Sequence, residues 1–143
     1  CGMSQGSLKP ILPTEAKFST PYVTATALLS GKVGLSDFQP DKIADPQRQA
    51  LLARVKVHEA EEFTKEYPAH WSCRMRLTTR DGKKYTYTVP DASGSVAAPL
   101  TKAQLRSKAM NCCAELPEAR LLTLFDALEN LEKAQVLPET ALR

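Results

Sequence analysis

Three residues near the start of the chain have types and spacing that could do chemistry. In "AKFSTPYVTATALLSG", residues 16–31, Lys17, Ser19 and Tyr22 gather at the expected start of a helix whose body is Ala, Thr, Val and Leu. Free N–H groups and the helix dipole make such an end attractive to anions. Lys17 adds a cation, Ser19 a hydroxyl, and Tyr22 a phenol able to donate a hydrogen bond or a proton. Together they suit a carboxylate ligand. The same residues also satisfy a plainer reading, in which Ser19 caps the helix, Lys17 is solvated and Tyr22 fills the core. The residues alone leave both open.

Little else in the chain invites a catalytic reading. Of the two histidines, His58 is expected on the polar side of a strand and His70 in a loop, so they form no evident dyad. No Gly-x-Ser-x-Gly, no phosphate-binding glycine loop and no metal-ligand spacing is present. "DASGSVAAP" has the glycine and serines but lacks the lysine of a P-loop.

These residues need elements to position them. Residues 1–14, punctuated by Gly, Ser and Pro, read as a disordered or tag-like coil. A helix is expected from Pro21, capped by Ser19 or Thr20 and stopped by Gly31. Asp45 followed by Pro46 marks a second helix. "RVKVH" alternates and reads as a strand. "CRMRLTT" and "KYTYTV" flank "RDG" and predict a hairpin over 73–90. A two-residue loop would put Met75 and Leu77 on the face opposite Tyr85 and Tyr87. A three-residue loop of Arg80, Asp81 and Gly82, with Gly82 left-handed, pairs Leu77 with Tyr85 and Met75 with Tyr87. It gives one apolar face and is therefore expected.

Further on, Thr101 with Gln104 makes a capping box. Pro117 opens a final helix whose Leu121, Leu124, Phe125, Leu128 and Leu131 form a 3–4 stripe. The expected fold is α+β: a small antiparallel three-stranded sheet packed by helices, closed by a C-terminal helical pair. Residues 15–99 would form the α+β portion and 100–143 the helices. The stripe exceeds what three strands can cover, which predicts self-association or a complementary helical domain, and raises the expectation that the sequence is part of a longer protein.

With 143 residues the chain has room for one domain, or one domain plus an appendage, with its own core, and its 43% apolar and 24% charged residues are ordinary. The net charge of +3 comes from scattered basic residues, so no nucleic-acid partner is expected. No run reaches the ~18 apolar residues of a membrane span. Cys1, Cys73, Cys112 and Cys113 show neither a zinc pattern nor a disulfide framework. Reduced thiols in a cytoplasmic protein are expected.

Taken in order, "AKFSTPYVTATALLSGKV", Phe38, "DPQRQALLARVKV", "RLTTRDGKKY" and "PLTKAQLRSK" carry a resemblance. Over roughly residues 10–137 the chain resembles the C-terminal part of the MmgE/PrpD family, which includes 2-methylcitrate dehydratase, cis-aconitate decarboxylase and iminodisuccinate epimerase. The Phe-Ser-x-Pro-Tyr-x-x-Ala element is its most specific part. The family combines a large helical domain with a smaller α+β lid, and the resemblance places this chain in the lid and the helices that return from it. It implies Tyr22 as the lid tyrosine facing the active-site cleft, with Ser19 and Lys17 beside it as substrate-binding groups. It also implies metal-free, cofactor-free proton abstraction next to a carboxylate of a small di- or tricarboxylic acid. Elimination of water, loss of CO₂ or epimerisation would follow. The family's other proton-transfer residues have no counterpart here, so this chain alone is expected to be inactive. Gly94-Ser95 and Lys108-Ala109 depart from the Gly-His and Lys-Phe of many members. The alternative expectation is a non-catalytic binding or assembly module that keeps the lid fold.

Overall fold

The computed structural model describes residues 8–133 and divides the chain into two compact units, Cys1–His58 and Glu59–Arg143. Cys1, the first half of the coil expected over 1–14, and the end of the expected helical segment lie outside the described residues. Among those described there are seven α-helices and one two-stranded antiparallel sheet.

The first unit is helical. Helix α1 (Pro13–Lys17) begins just inside the expected coil. Proline suits a first helical turn because its missing N–H would have no partner there. Glu15 reaches back to accept the N–H groups of Ile11 and Leu12 at 2.9 and 3.2 Å. Those two bonds hold its carboxyl below the usual range. Helix α2 (Thr20–Ser30) follows, with Ser19 as its cap and Gly31 ending it at φ 72°. In that left-handed conformation a Cβ is strained, which is why glycine stands there.

A 3₁₀ turn (Leu35–Phe38), helix α3 (Pro40–Ile43) and helix α4 (Pro46–Leu52) complete the unit. The Asp45 carboxylate accepts the Arg48 N–H at 3.1 Å and so caps α4 as the sequence predicts. Ala16, Tyr22, Ala25, Ile43 and Leu52 form the core, with Phe38 and Leu51 packed against it. Each fully buried Leu or Ile of such a cluster contributes about 1.5–3 kcal/mol.

The second unit holds helix α5 (Glu61–Glu66), the hairpin, helix α6 (Lys102–Cys112) and helix α7 (Glu118–Glu129). The hairpin has the expected register. Strand β1 (Cys73–Thr78) and strand β2 (Lys84–Val89) pair Met75 with Tyr87 and Leu77 with Tyr85. Gly82 closes the turn at φ 83°, its N–H donating to the Thr79 carbonyl at 3.0 Å. The Thr101–Gln104 capping box ahead of α6 is also formed.

The expected third strand is absent. Residues 55–60 adopt no regular structure and have no ladder partner. Val55 and Val57 supply the right alternation, but two β-branched residues do not make a strand. A strand exists only where another backbone takes its N–H and C=O groups, and sequence alternation cannot supply that partner.

Coverage of the C-terminal stripe is graded. Leu121 is buried, Leu124 and Phe125 are half-buried, and Leu128 and Leu131 are exposed.

Candidate functional site

The residues nominated by the sequence sit together at the start of α2, but in different environments. Lys17 is exposed in the last turn of α1. Ser19 is buried, and its Oγ accepts the Tyr22 N–H at 3.2 Å. Tyr22 is fully buried, with its ring 5.9 Å from that of Phe38. Its hydroxyl is engaged twice. It donates to the Asp37 carbonyl, and it accepts from Arg48 Nη1 at 3.5 Å.

Arg48 is the residue that sequence reasoning missed. It projects from α4 with only 9% of its side chain exposed. Nη1 donates to Thr26 Oγ1 at 3.1 Å and Nη2 to Asp37 Oδ1 at 2.7 Å. Ser30 Oγ lies 3.5 Å from Nη2, and Asp45 Oδ2 lies 3.9 Å from Nε. One guanidinium thus ties α2, the 3₁₀ turn and the cap of α4 together. Its planar fork of five donors suits it to this, where a lysine would offer a single point of charge.

The signal was faint but present. Tyr22, Thr26 and Ser30 recur every four residues along α2, placing three hydroxyls on one face of an otherwise apolar helix. On α4, Arg48 shares a face with Leu51 and Leu52, an inward position for a charge.

Electrostatics follow from the geometry. Burial pushes the Asp37 carboxyl up. The Gly34 N–H, donating to Oδ2 at 2.9 Å, and the Arg48 guanidinium outweigh it, so the carboxyl titrates below its usual range. Burial likewise opposes the charge on Arg48. Its bonds to Asp37 and Tyr22 prevail and raise its already high value. A buried pair of this kind is costly to break, about 3–5 kcal/mol when one partner is removed.

Two other features belong to the second unit. His70 Nδ1 lies 3.1 Å from the Asp91 carboxylate, which is mostly buried. This partner was not legible in the sequence, since 21 residues separate the two. A groove of about 310 Å³ runs between α6 and α7, lined by Lys102, Leu105, Arg106, Phe125, Leu128 and Glu129. His58 is exposed. Among the described residues no three His, Cys, Asp or Glu side chains cluster to hold a metal ion, and no helix is long and apolar enough to cross a membrane.

The family model described as MmgE/PrpD C-terminal domain matches residues 3–130, a span that contains the Lys17–Tyr22 stretch, the Arg48 network and the hairpin. No curated protein matches the chain.

Proposed function

The chain belongs to the MmgE/PrpD family, as its C-terminal domain, and from this we propose that it serves a lyase or isomerase acting on small di- or tricarboxylic acids. The observation that carries the reading is the family match across the whole Lys17–Tyr22 stretch. The chemistry is proton removal next to a carboxylate, followed by loss of water, loss of CO₂ or inversion. Lys17 offers the carboxylate a cation, Ser19 and the first turn of α2 set the position, and Tyr22 is the candidate acid. No nucleic acid, membrane, metal or cofactor is part of this proposal. We place the activity in the cytoplasm, with the exposed Leu128 and Leu131 available to a second copy or to a complementary helical domain.

A second reading is favoured by one observation. The Tyr22 ring is fully covered and its hydroxyl has two partners, so it has no bond to spare for a substrate while that arrangement lasts. General acid–base catalysis needs a group within hydrogen-bond reach of the reacting atom. The chain alone is then a binding or assembly module without turnover.

The test is to incubate the 143-residue chain with 2-methylcitrate, cis-aconitate and iminodisuccinate and follow each by proton NMR beside Tyr22→Phe. No product is expected from either protein. Turnover that vanishes in Tyr22→Phe would show instead that this chain assembles a complete site around Tyr22.

A further inference from the structure

Among the described residues, the second strand of the hairpin has an open edge. All six residues of β2 are exposed, and its only ladder among the described residues is with β1. The Thr79 N–H donates to the Lys83 carbonyl at 2.9 Å, and antiparallel bonding alternates along a strand. The backbone groups of Tyr85, Tyr87 and Val89 therefore turn toward β1, and those of Lys84, Thr86 and Thr88 turn to the open edge. "YTYTV" is a run of aromatic and β-branched residues suited to a pleated surface. Edges are normally blunted by charge, proline or a bulge; here Lys84 opens the strand and Pro90 follows it, and residues 85–89 between them contain neither charge nor proline.

We propose that β2 pairs antiparallel with β2 of a second copy, two-fold about Thr86, to form a four-stranded sheet. The inference rests on the self-association in the reading above and places it on this edge, in place of Leu128 and Leu131. The occupant follows from charge and register. Centring on Thr86 sets Tyr85 of each copy against Tyr87 of the other and Lys84 against Thr88, with no like charges opposed. The central registers of the other edge do not share this. Centring β1 on Met75 sets Arg74 against Arg76, and centring it on Arg76 sets that residue against itself; like charges directly opposite are destabilising. Strand number agrees, since two strands alone are marginal and three or more are needed. The pairing also keeps Met75, Leu77, Tyr85 and Tyr87 of both copies on one face, because opposed residues share parity.

The test combines sedimentation equilibrium with amide hydrogen exchange on the 143-residue chain, under reductant because Cys73 and Cys112 are exposed. Association should rise with concentration, and the amides of Lys84, Thr86 and Thr88 should gain about ten-fold protection as it does. Thr86→Lys opposes two lysines across the two-fold and should weaken association about ten-fold. The Tyr85 and Tyr87 amides should stay protected, showing that the hairpin is intact. Association that is unchanged in Thr86→Lys, with the three outward amides unprotected, overturns the proposal. If Leu128→Lys abolishes association instead, self-association stands and its surface is α7. A wild-type chain that stays monomeric at every concentration removes both. None of these outcomes bears on the carboxylate chemistry, which the product assay tests separately.

Discussion

Both units bind a guanidinium between carboxylates, and they do so under opposite conditions. In the first, Arg48 and Asp37 are 9% and 14% exposed, with Tyr22, Thr26 and Ser30 completing the guanidinium's shell. In the second, Arg106 reaches Asp126 at 2.8 Å and Glu129 at 2.9 Å, with side-chain exposures of 35%, 69% and 31%. The distances are alike and the surroundings are not. Water screens the second cluster and competes for its donors, so such pairs contribute little. The first excludes water, so each group there depends on the others. Contact geometry alone does not rank these interactions; burial does.

The largest effect should come from Arg48→Met, which keeps bulk but leaves the Asp37 carboxylate without its cation. We expect a loss of about 3 kcal/mol in urea unfolding. The pH dependence sharpens the point. The folded Asp37 carboxyl titrates below its ordinary value of about 3.9. Its stabilisation is therefore complete above that pH and is lost as pH falls through the folded value. In Arg48→Met this acid limb should lose slope. An unchanged limb would mean that another carboxylate governs it.

Tyr22→Phe should come next. It removes one hydroxyl and leaves the Asp37 carbonyl and one Arg48 N–H short of a partner in a buried setting. A loss of about 1–2 kcal/mol is expected by the same unfolding measurement. The smallest effect belongs to Arg106→Gln. Its thermal midpoint should match the wild type in high salt, where the wild-type pairs are already screened. A large drop there would show that the α6–α7 cluster is more enclosed than the exposures indicate.

What could be read from the sequence was local. Ser19, Asp45 with Pro46, and Thr101 with Gln104 were legible as caps because the partners lie three residues apart on a chain already turning. The hairpin register was legible because, of a two-residue and a three-residue loop, a period of two lets only the latter put Met75, Leu77, Tyr85 and Tyr87 on one face. The strand expected at Val55–Val57 failed because pairing is not a local property. Arg48 escaped notice for a related reason. "PQRQALL" looks like a solvated helix surface, and its burial depends on Asp37 and Tyr22, 11 and 26 residues away. Lys17, Ser19 and Tyr22 were legible as a cluster. Their division into an exposed cation, a buried cap and a buried phenol needed the packing of α1 and α4 around α2.

The proposed carboxylate site at the start of α2 is tested most directly by an amide chemical-shift titration of the 143-residue chain with cis-aconitate. The predicted result is weak, saturable shifts centred on residues 17–22, lost in Lys17→Gln, with the acid's own proton spectrum unchanged throughout. Shifts that are absent, or that centre on the α6–α7 groove and survive Lys17→Gln, would contradict it.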